Sequence, residues 1–192
     1  MFRPFFVLIC ACAALAGAPA AAQDGRDLTD EARKQYAQGL REASALVKDR
    51  QFANANAKLD LLLTQRPREP QARFLKGVVQ TEQGQDAAAI ATFRALIEDY
   101  PELPEPYNNL AVLYAQKGEY EGARIALESA VKASPDWAVA HENLGDIYVR
   151  LGAAEYATAA KLDRTNKAAA GKLALARELI APAPKPAAAP KP

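Results

Sequence analysis

Hydrophobic and polar positions repeat along this chain with a fixed interval of 34 residues. Four sets of residues, each chemically distinct, occur three times at that interval. They are the prolines Pro67, Pro101 and Pro135, the alanines Ala55, Ala89 and Ala123, the large apolar residues Leu59, Phe93 and Leu127, and the glycines Gly84, Gly118 and Gly152. An interval of this length is typical of helix–turn–helix units that stack side by side, since one such unit alone buries little apolar surface. The pattern therefore predicts an all-α repeat protein.

Each set has a physical role in the predicted helical hairpins. Glycine at the end of a first helix adopts the left-handed backbone conformation most easily, because it has no side chain. Alanine on the second helix allows the two helices to cross closely, and proline begins the next connection because it cannot continue a helix. The first helices are therefore expected to end at Gly84, Gly118 and Gly152, with Arg50 at this position in the first unit.

The third unit carries the most complete pattern. Its residues are Tyr107, Leu110, Ala111, Tyr114, Gly118, Tyr120, Ala123, Leu127, Ala130 and Pro135. In this order and spacing the unit resembles the tetratricopeptide repeat (TPR) family, although the second unit has Lys76 where leucine is usual. The resemblance implies a right-handed superhelical α-solenoid of about four helical hairpins that ends in a C-terminal capping helix.

The predicted TPR domain covers residues 29–180 and consists of four units and a cap. The units are about residues 36–69, 70–103, 104–137 and 138–166, and the capping helix is 167–180. The fourth unit is five residues short after Gly152, so its second helix is expected to be short. Asn166 can cap the last helix, whose apolar residues Leu173, Leu175 and Leu179 are expected to cover the open end of the array.

Residues 1–22 are predicted to be a secretory signal peptide. Arg3 supplies a positive charge, residues 5–16 form an apolar run, and small residues precede a cleavage site after Ala22, with Ala20 as the alternative. The apolar run is shorter than the roughly 20 residues that a membrane-spanning helix needs, so a retained anchor is the less favoured interpretation. We expect no membrane span after cleavage and a periplasmic or secreted bacterial protein.

Two short segments flank the repeats. Residues 23–28 are predicted to be a linker, after which Thr29 can cap a first helix that runs through Lys48. Residues 181–192 are rich in Pro, Ala and Lys, and this composition favours a disordered, extended tail. The alternative roles for the tail are a docking sequence or a spacer.

The residue types that catalysis requires are scarce. The single histidine, His141, stands at an aromatic position of the repeat, so packing is its expected role. Cys10 and Cys12 both lie in the predicted signal peptide. We therefore expect no enzymatic activity, no metal site and no cofactor. The formal net charge of +1 also argues against a nucleic-acid partner, because such a partner requires clustered Lys and Arg.

The TPR resemblance implies that the first helices of successive units line a concave groove that holds an extended peptide or a partner helix. Carried over position by position, the predicted partner-binding residues are Phe74, Val78, Thr81, Asn108, Asn109, Val112, Glu142, Asn143 and Asp146. Asn109 and Asn143 are one repeat apart, and their amides suit either a peptide backbone or contacts between helices. Glu142 and Asp146 favour a basic group on the ligand.

Some TPR domains hold a C-terminal carboxylate with Lys or Arg residues, but here Phe74, Val139 and Asn143 occupy those positions. Two hypotheses about function remain. The favoured one is an adaptor or assembly factor whose groove binds a protein or peptide. The alternative is an architectural subunit that contacts its partners through its convex face or its Pro-rich tail. The pattern makes no prediction of the oligomeric state.

Overall fold

The structure is a computed structural model that describes residues 30–181. All regular secondary structure in that range is α-helical. The helices are α1 (Asp30–Lys48), α2 (Phe52–Gln65), α3 (Pro70–Glu82), α4 (Asp86–Asp99), α5 (Pro104–Gln116), α6 (Tyr120–Ala133), α7 (Ala138–Leu162) and α8 (Lys167–Ile180). They belong to two compact units, residues 30–102 and residues 103–181 of the described range. The predicted all-α architecture of paired helices is confirmed.

In the unit formed by residues 30–102, α1 packs against α2 and α3 packs against α4, while α3 also contacts α1 and α2. Glycine allows the close approach within each pair. A Cβ atom on Gly39 would lie 2.9 Å from a methyl group of Leu62, and one on Gly77 would lie 2.6 Å from the ring of Phe93. Phe93 is fully buried. A small residue on the first helix of each pair therefore permits the close packing.

The turns that end α1, α3 and α5 share one backbone geometry. Gly84 and Gly118 have φ angles of 71° and 78°, in the left-handed region. Arg50, at the equivalent place in the first unit, adopts φ 58° despite its side chain. In each turn the N–H of the following residue donates a hydrogen bond to the carbonyl five residues earlier, as in the 2.8 Å bond from the Gln85 N–H to the Gln80 carbonyl. The predicted left-handed caps are therefore confirmed at these two glycines.

A polar junction joins α2 to α3. Lys76, which stands where the repeat usually has leucine, is mostly buried, and its Nζ donates a hydrogen bond of 2.7 Å to the Oδ1 of Asn56. The same ammonium forms an ion pair with Asp60. The departure from the repeat pattern at Lys76 therefore corresponds to a specific contact between neighbouring hairpins.

In the unit formed by residues 103–181, α5 packs against α6, α6 against α7, and α7 against α8. The core of this unit contains small residues together with a few large ones. One buried cluster of this core consists of Ala111, Ala115, Ala123, Ala126, Leu127 and Ile147. Tyr114 packs at the edge of this core, 3.3 Å from where a Cβ of Gly122 would lie.

The fourth unit differs from the prediction. We expected a first helix that ends at Gly152 and a short second helix, but α7 continues without interruption from Ala138 to Leu162. The five residues missing after Gly152 remove the length needed for a return helix, and the alanines that follow have the highest helix propensity. The pair formed by α7 and α8 therefore takes the place of a fourth regular hairpin.

The last helix, α8, begins as predicted at a cap formed by Asn166, whose side chain accepts a hydrogen bond of 2.9 Å from the Ala169 N–H. It covers apolar surface only in part. Ala169 and Ala176 are buried, whereas Leu175 and Leu179 remain 63% and 65% exposed. The expectation that all the leucines of α8 cover the open end was therefore wrong for these two.

Several sequence predictions lie outside the described residues. They concern the signal peptide at 1–22, the linker at 23–28, the cap at Thr29 and the tail from 182 onward, and they stay predictions, as does the handedness of the superhelix. Within residues 30–181, no helix has both the length and the apolar character that crossing a bilayer demands.

Candidate partner-binding surface

The three predicted binding residues of α3 lie in the unit formed by residues 30–102. Phe74 is buried, and its ring centroid lies 5.9 Å from that of Phe93 on α4. Val78 is fully buried, and Thr81 donates a hydrogen bond of 3.0 Å from Oγ1 to the carbonyl of Gly77. Of these three side chains, only Thr81 has partial exposure. Phe74 and Val78 pack inside the hairpin. Their predicted contact with a partner stays a prediction.

The predicted residues of α5 are also buried. Asn108, Asn109 and Val112 expose 0%, 3% and 2% of their surface, respectively. Asn109 donates a hydrogen bond of 2.9 Å from Nδ2 to the carbonyl of Glu105, one turn earlier in the same helix. Its Oδ1 and the Nδ2 of Asn108 have no hydrogen-bond partner among the described residues. This helix therefore contains one unmatched amide acceptor beside one unmatched amide donor.

Asn143 of α7 joins the two first helices of this unit. Its Nδ2 donates a hydrogen bond of 2.7 Å to the Oδ1 of Asn108, and both side chains are buried. The sequence left two roles open for Asn143, peptide capture or contact between helices, and the structure shows the second. It pairs Asn143 with Asn108 rather than with the repeat-equivalent Asn109. The pair is a direct hydrogen bond between α5 and α7.

Glu142 and Asp146 are the exposed members of the predicted set. They lie four residues apart on α7, which places them on one face of the helix about one turn apart. Neither takes part in an ion pair among residues 30–181. His141, beside them, is exposed and its Nε2 lies 2.8 Å from the carbonyl oxygen of Pro135. The expected packing role of His141 was therefore wrong.

A polar network between α6 and α7 was missed by sequence reasoning. Arg124 forms ion pairs with Glu121 and Glu128, and Tyr148 donates a hydrogen bond of 2.8 Å to the Oε1 of Glu128. The bonds from Tyr148 and Arg124 hold the pKa of Glu128 below its ordinary value of 4.5. The spacing of the three charged residues along α6 was the available signal, since residues three and four apart share a helix face.

Tyr148, one repeat after Tyr114, is 49% exposed. Its hydroxyl is held by Glu128, and that bond raises the pKa of the phenol above its ordinary value of 10.0. Among residues 30–181, no three His, Cys, Asp or Glu side chains gather as a metal site would require.

Comparison with known sequences defines the family. Two profiles described as tetratricopeptide repeat match residues 40–104 and 81–147, which together span more than half of the chain. The chain belongs to the tetratricopeptide-repeat superfamily. The matched TPR region stops at residue 147, inside α7, so the continuous second half of α7 and the whole of α8 lie beyond it. No match to a curated protein was found.

Solved TPR structures share the fold. The type III secretion chaperone SycD of Yersinia enterocolitica, in complex with a peptide of the translocator YopD, is 16% identical with a TM-score of 0.56, over 64% of this chain and 98% of that one. The Sgt2 TPR domain of Aspergillus fumigatus is 15% identical with a TM-score of 0.59, over 63% and 82%. MamA of Desulfovibrio magneticus RS-1 is 23% identical with a TM-score of 0.53, over 78% of each chain. At these identities the similarity establishes the fold alone.

Proposed function

We propose that this protein is a non-enzymatic adaptor or assembly factor that binds a peptide or helix of a partner protein, and that α7 provides the contact. The observation that carries the proposal is the pair of exposed carboxylates, Glu142 and Asp146, one turn apart and without a counter-ion among the described residues. Like charges at this spacing repel each other, so a basic group on a partner gains from both. SycD, a protein of the same fold, is known in complex with a peptide, which supports the proposal.

The buried amides of this unit have a structural role in the proposal. Asn108 and Asn109 expose 0% and 3% of their surface, so a bound ligand does not reach the Nδ2 of Asn108 or the Oδ1 of Asn109 in this arrangement. In this proposal Asn143 is a positioning residue, because it holds Asn108 through its side chain.

Charge reversal tests the proposed contact. The double variant Glu142→Lys with Asp146→Lys is compared with Asp136→Lys with Glu155→Lys, which changes the net charge equally at two other exposed positions. A photo-crosslinking residue at Asp146 first identifies the bound protein in cells, and the affinity of that protein for both variants is then measured. We expect a loss of at least tenfold in the first variant alone. Equal affinities would contradict the proposed contact.

A truncation after Ile180 separates this proposal from the architectural alternative. Loss of the crosslinked partner in the truncated protein, together with unchanged binding by the Glu142 and Asp146 variant, would favour binding through the tail. Retention in the truncated protein favours α7. Helical circular dichroism of each variant shows that the fold is intact.

We also propose that the protein is exported, with residues 1–22 as the cleaved signal. This rests on the apolar run and the small residues before Gln23. The experiment is mass spectrometry of the protein recovered from the periplasm of a bacterial host. The expected N-terminus is Gln23, or Ala21 for the alternative site, and a protein that retains Met1 would contradict export by cleavage.

A further inference from the structure

The exposed leucines of α8 form a stripe along one side of the helix. At about 100° per residue, Ala168, Leu175 and Leu179 lie within about 40° of one another around the helix axis. All three are exposed, and the two leucines expose 63% and 65% of their surface. The buried face of α8, marked by Ala169 and Ala176, lies about a quarter turn away. The stripe therefore remains uncovered when α8 is packed on α7.

An apolar stripe at this place is unusual for a repeat array, since terminal helices generally carry a polar outer face. Leu162, at the end of α7, is 83% exposed and adds to the apolar surface of this helix pair. Exposed apolar surface that is concentrated at one end of a molecule favours association there. The shape and charge of the stripe determine which molecule binds to it.

We propose that the stripe is the contact between two copies of this chain, in which the two α8 helices lie antiparallel about a twofold axis at the level of Leu173. The stripe has small residues toward its start and leucines toward its end. In the antiparallel arrangement Leu175 of one copy lies opposite Gly171 of the other, and Leu179 lies close to Ala168. Gly171 has nothing within 4 Å of the place of a Cβ atom, so the space opposite Leu175 is open. Large side chains thus meet gaps, as knobs meet holes.

The charges at the two ends of α8 fit the same arrangement. Lys167 stands at its beginning and Glu178 near its end, and both are exposed. Antiparallel pairing brings Lys167 of each copy toward Glu178 of the other, so the twofold axis produces two opposite-charge contacts. A parallel pairing would place Lys167 against Lys167 and each leucine against itself. The fit of large side chains into gaps and these two end contacts favour the antiparallel over the parallel orientation. Lys172 of each copy lies at the margin of the stripe, with its Nζ 5.6 Å from the centroid of the Tyr156 ring of the same chain.

The first experiment measures self-association of the protein obtained by expressing the full chain, by sedimentation equilibrium over a range of concentrations. Leu175→Glu is compared with Ala174→Glu, an exposed neighbour about 100° away around the helix. We expect a monomer–dimer equilibrium that Leu175→Glu weakens at least tenfold and Ala174→Glu leaves unchanged, with the same helical circular dichroism in both. A protein that is monomeric up to about 1 mM, or equal effects of the two variants, would overturn the proposal.

The second experiment tests the orientation. Lys167→Glu and Glu178→Lys are each expected to weaken dimerisation by about threefold, the range of exposed ion pairs, and the double variant is expected to restore it. Mixed proteins that carry Gly171→Cys and Leu175→Cys are expected to form a disulfide between the two kinds of chain, above the level given by the unsubstituted protein. Failure of the double variant to recover, or preferential crosslinking of Leu175→Cys with itself, would overturn the antiparallel pairing.

Discussion

The α3–α4 hairpin and the α7–α8 pair carry the same glycine position of the repeat, yet only one of these glycines has a neighbour. Gly77 lies against the fully buried ring of Phe93, and no room remains for a methyl group. Gly145, two repeats later, is exposed, and a Cβ atom placed on it would have nothing within 4 Å. The same residue at the same repeat position is therefore a packing requirement in one region and only a weak helix former in the other.

The turn glycines show the same contrast. Gly84 takes φ 71° and ends α3, whereas Gly152 lies inside the continuous helix α7. Glycine makes a left-handed turn possible, but a returning helix with a large apolar side chain has to hold it. Phe93 provides that side chain in α4, whereas α7 has no buried large apolar residue beyond Gly152. The turn therefore depends on the residues that pack around it more than on the glycine itself.

Removal of the large side chain is expected to have the largest effect. Phe93→Ala leaves a cavity in the α3–α4 hairpin, and the expected loss is about 3–5 kcal/mol of unfolding free energy. Leu162→Ala, at an 83% exposed position of the α7–α8 pair, is expected to change stability by less than about 0.5 kcal/mol. Urea denaturation of both variants measures these values. Similar losses would show that the two regions are packed alike.

Alanine at the shared glycine position is expected to have opposite effects in the two regions. Gly77→Ala brings a methyl group within 2.6 Å of the Phe93 ring, and the expected net cost is about 1–3 kcal/mol. Gly145→Ala meets no neighbour and improves helix propensity, so a gain of about 0.5–1 kcal/mol is expected. Thermal unfolding of the two variants shows whether each substitution raises or lowers stability. A change of stability in the same direction in both variants would contradict the difference in packing between Gly77 and Gly145.

Alanine at the turn glycines is also expected to change stability in opposite directions, by smaller amounts. Gly84→Ala forces a side chain into the left-handed region and should cost about 1–2 kcal/mol. Gly152→Ala, in a helix interior, should stabilise the protein by about 0.5–1 kcal/mol. A destabilising Gly152→Ala, measured in the same denaturation series, would mean that α7 bends or opens at Gly152 in solution.

The smallest expected effect concerns pH and the junction of α6 with α7. Because hydrogen bonds from Tyr148 and Arg124 lower the pKa of Glu128 in the folded protein, this carboxylate stabilises the fold above its unfolded pKa. That contribution is lost as the pH falls below about 4.5 and through the lower folded pKa. Glu128→Gln is expected to flatten the acid limb of a stability–pH curve slightly, since the group is exposed. An unchanged acid limb would show that the network contributes nothing.

The sequence predicted those parts of the fold that local chemistry and periodicity determine. The left-handed turns at Gly84 and Gly118 and the close contact at Gly77 follow from residues that repeat. The continuity of α7 does not, because the consensus glycine at Gly152 is present while the helix that should return is too short to pack. The repeat pattern does not state how long a returning helix has to be, or which residue has to pack against it.

The candidate site was predicted less completely. The predicted residues lie on α3, α5 and α7, but a position in the repeat does not reveal whether a side chain is buried. Asn108, Asn109 and Asn143 are buried, and the bond between Asn108 and Asn143 depends on how α5 and α7 lie together. Glu142 and Asp146 are exposed. A polar residue on an inner helix face can face solvent or another helix, and only the three-dimensional arrangement decides between these.

The polar junction between α2 and α3 has a consequence for how this chain can evolve. Repeat proteins gain and lose units readily when every unit fits every other. Here Lys76 extends to Asn56 and Asp60 of the preceding hairpin, whereas the next unit has Leu110 at that position. A copy of the third unit inserted after α2 would leave Asp60 without its counter-ion. The first two hairpins therefore have to be duplicated together if the contacts of Lys76 are to be kept.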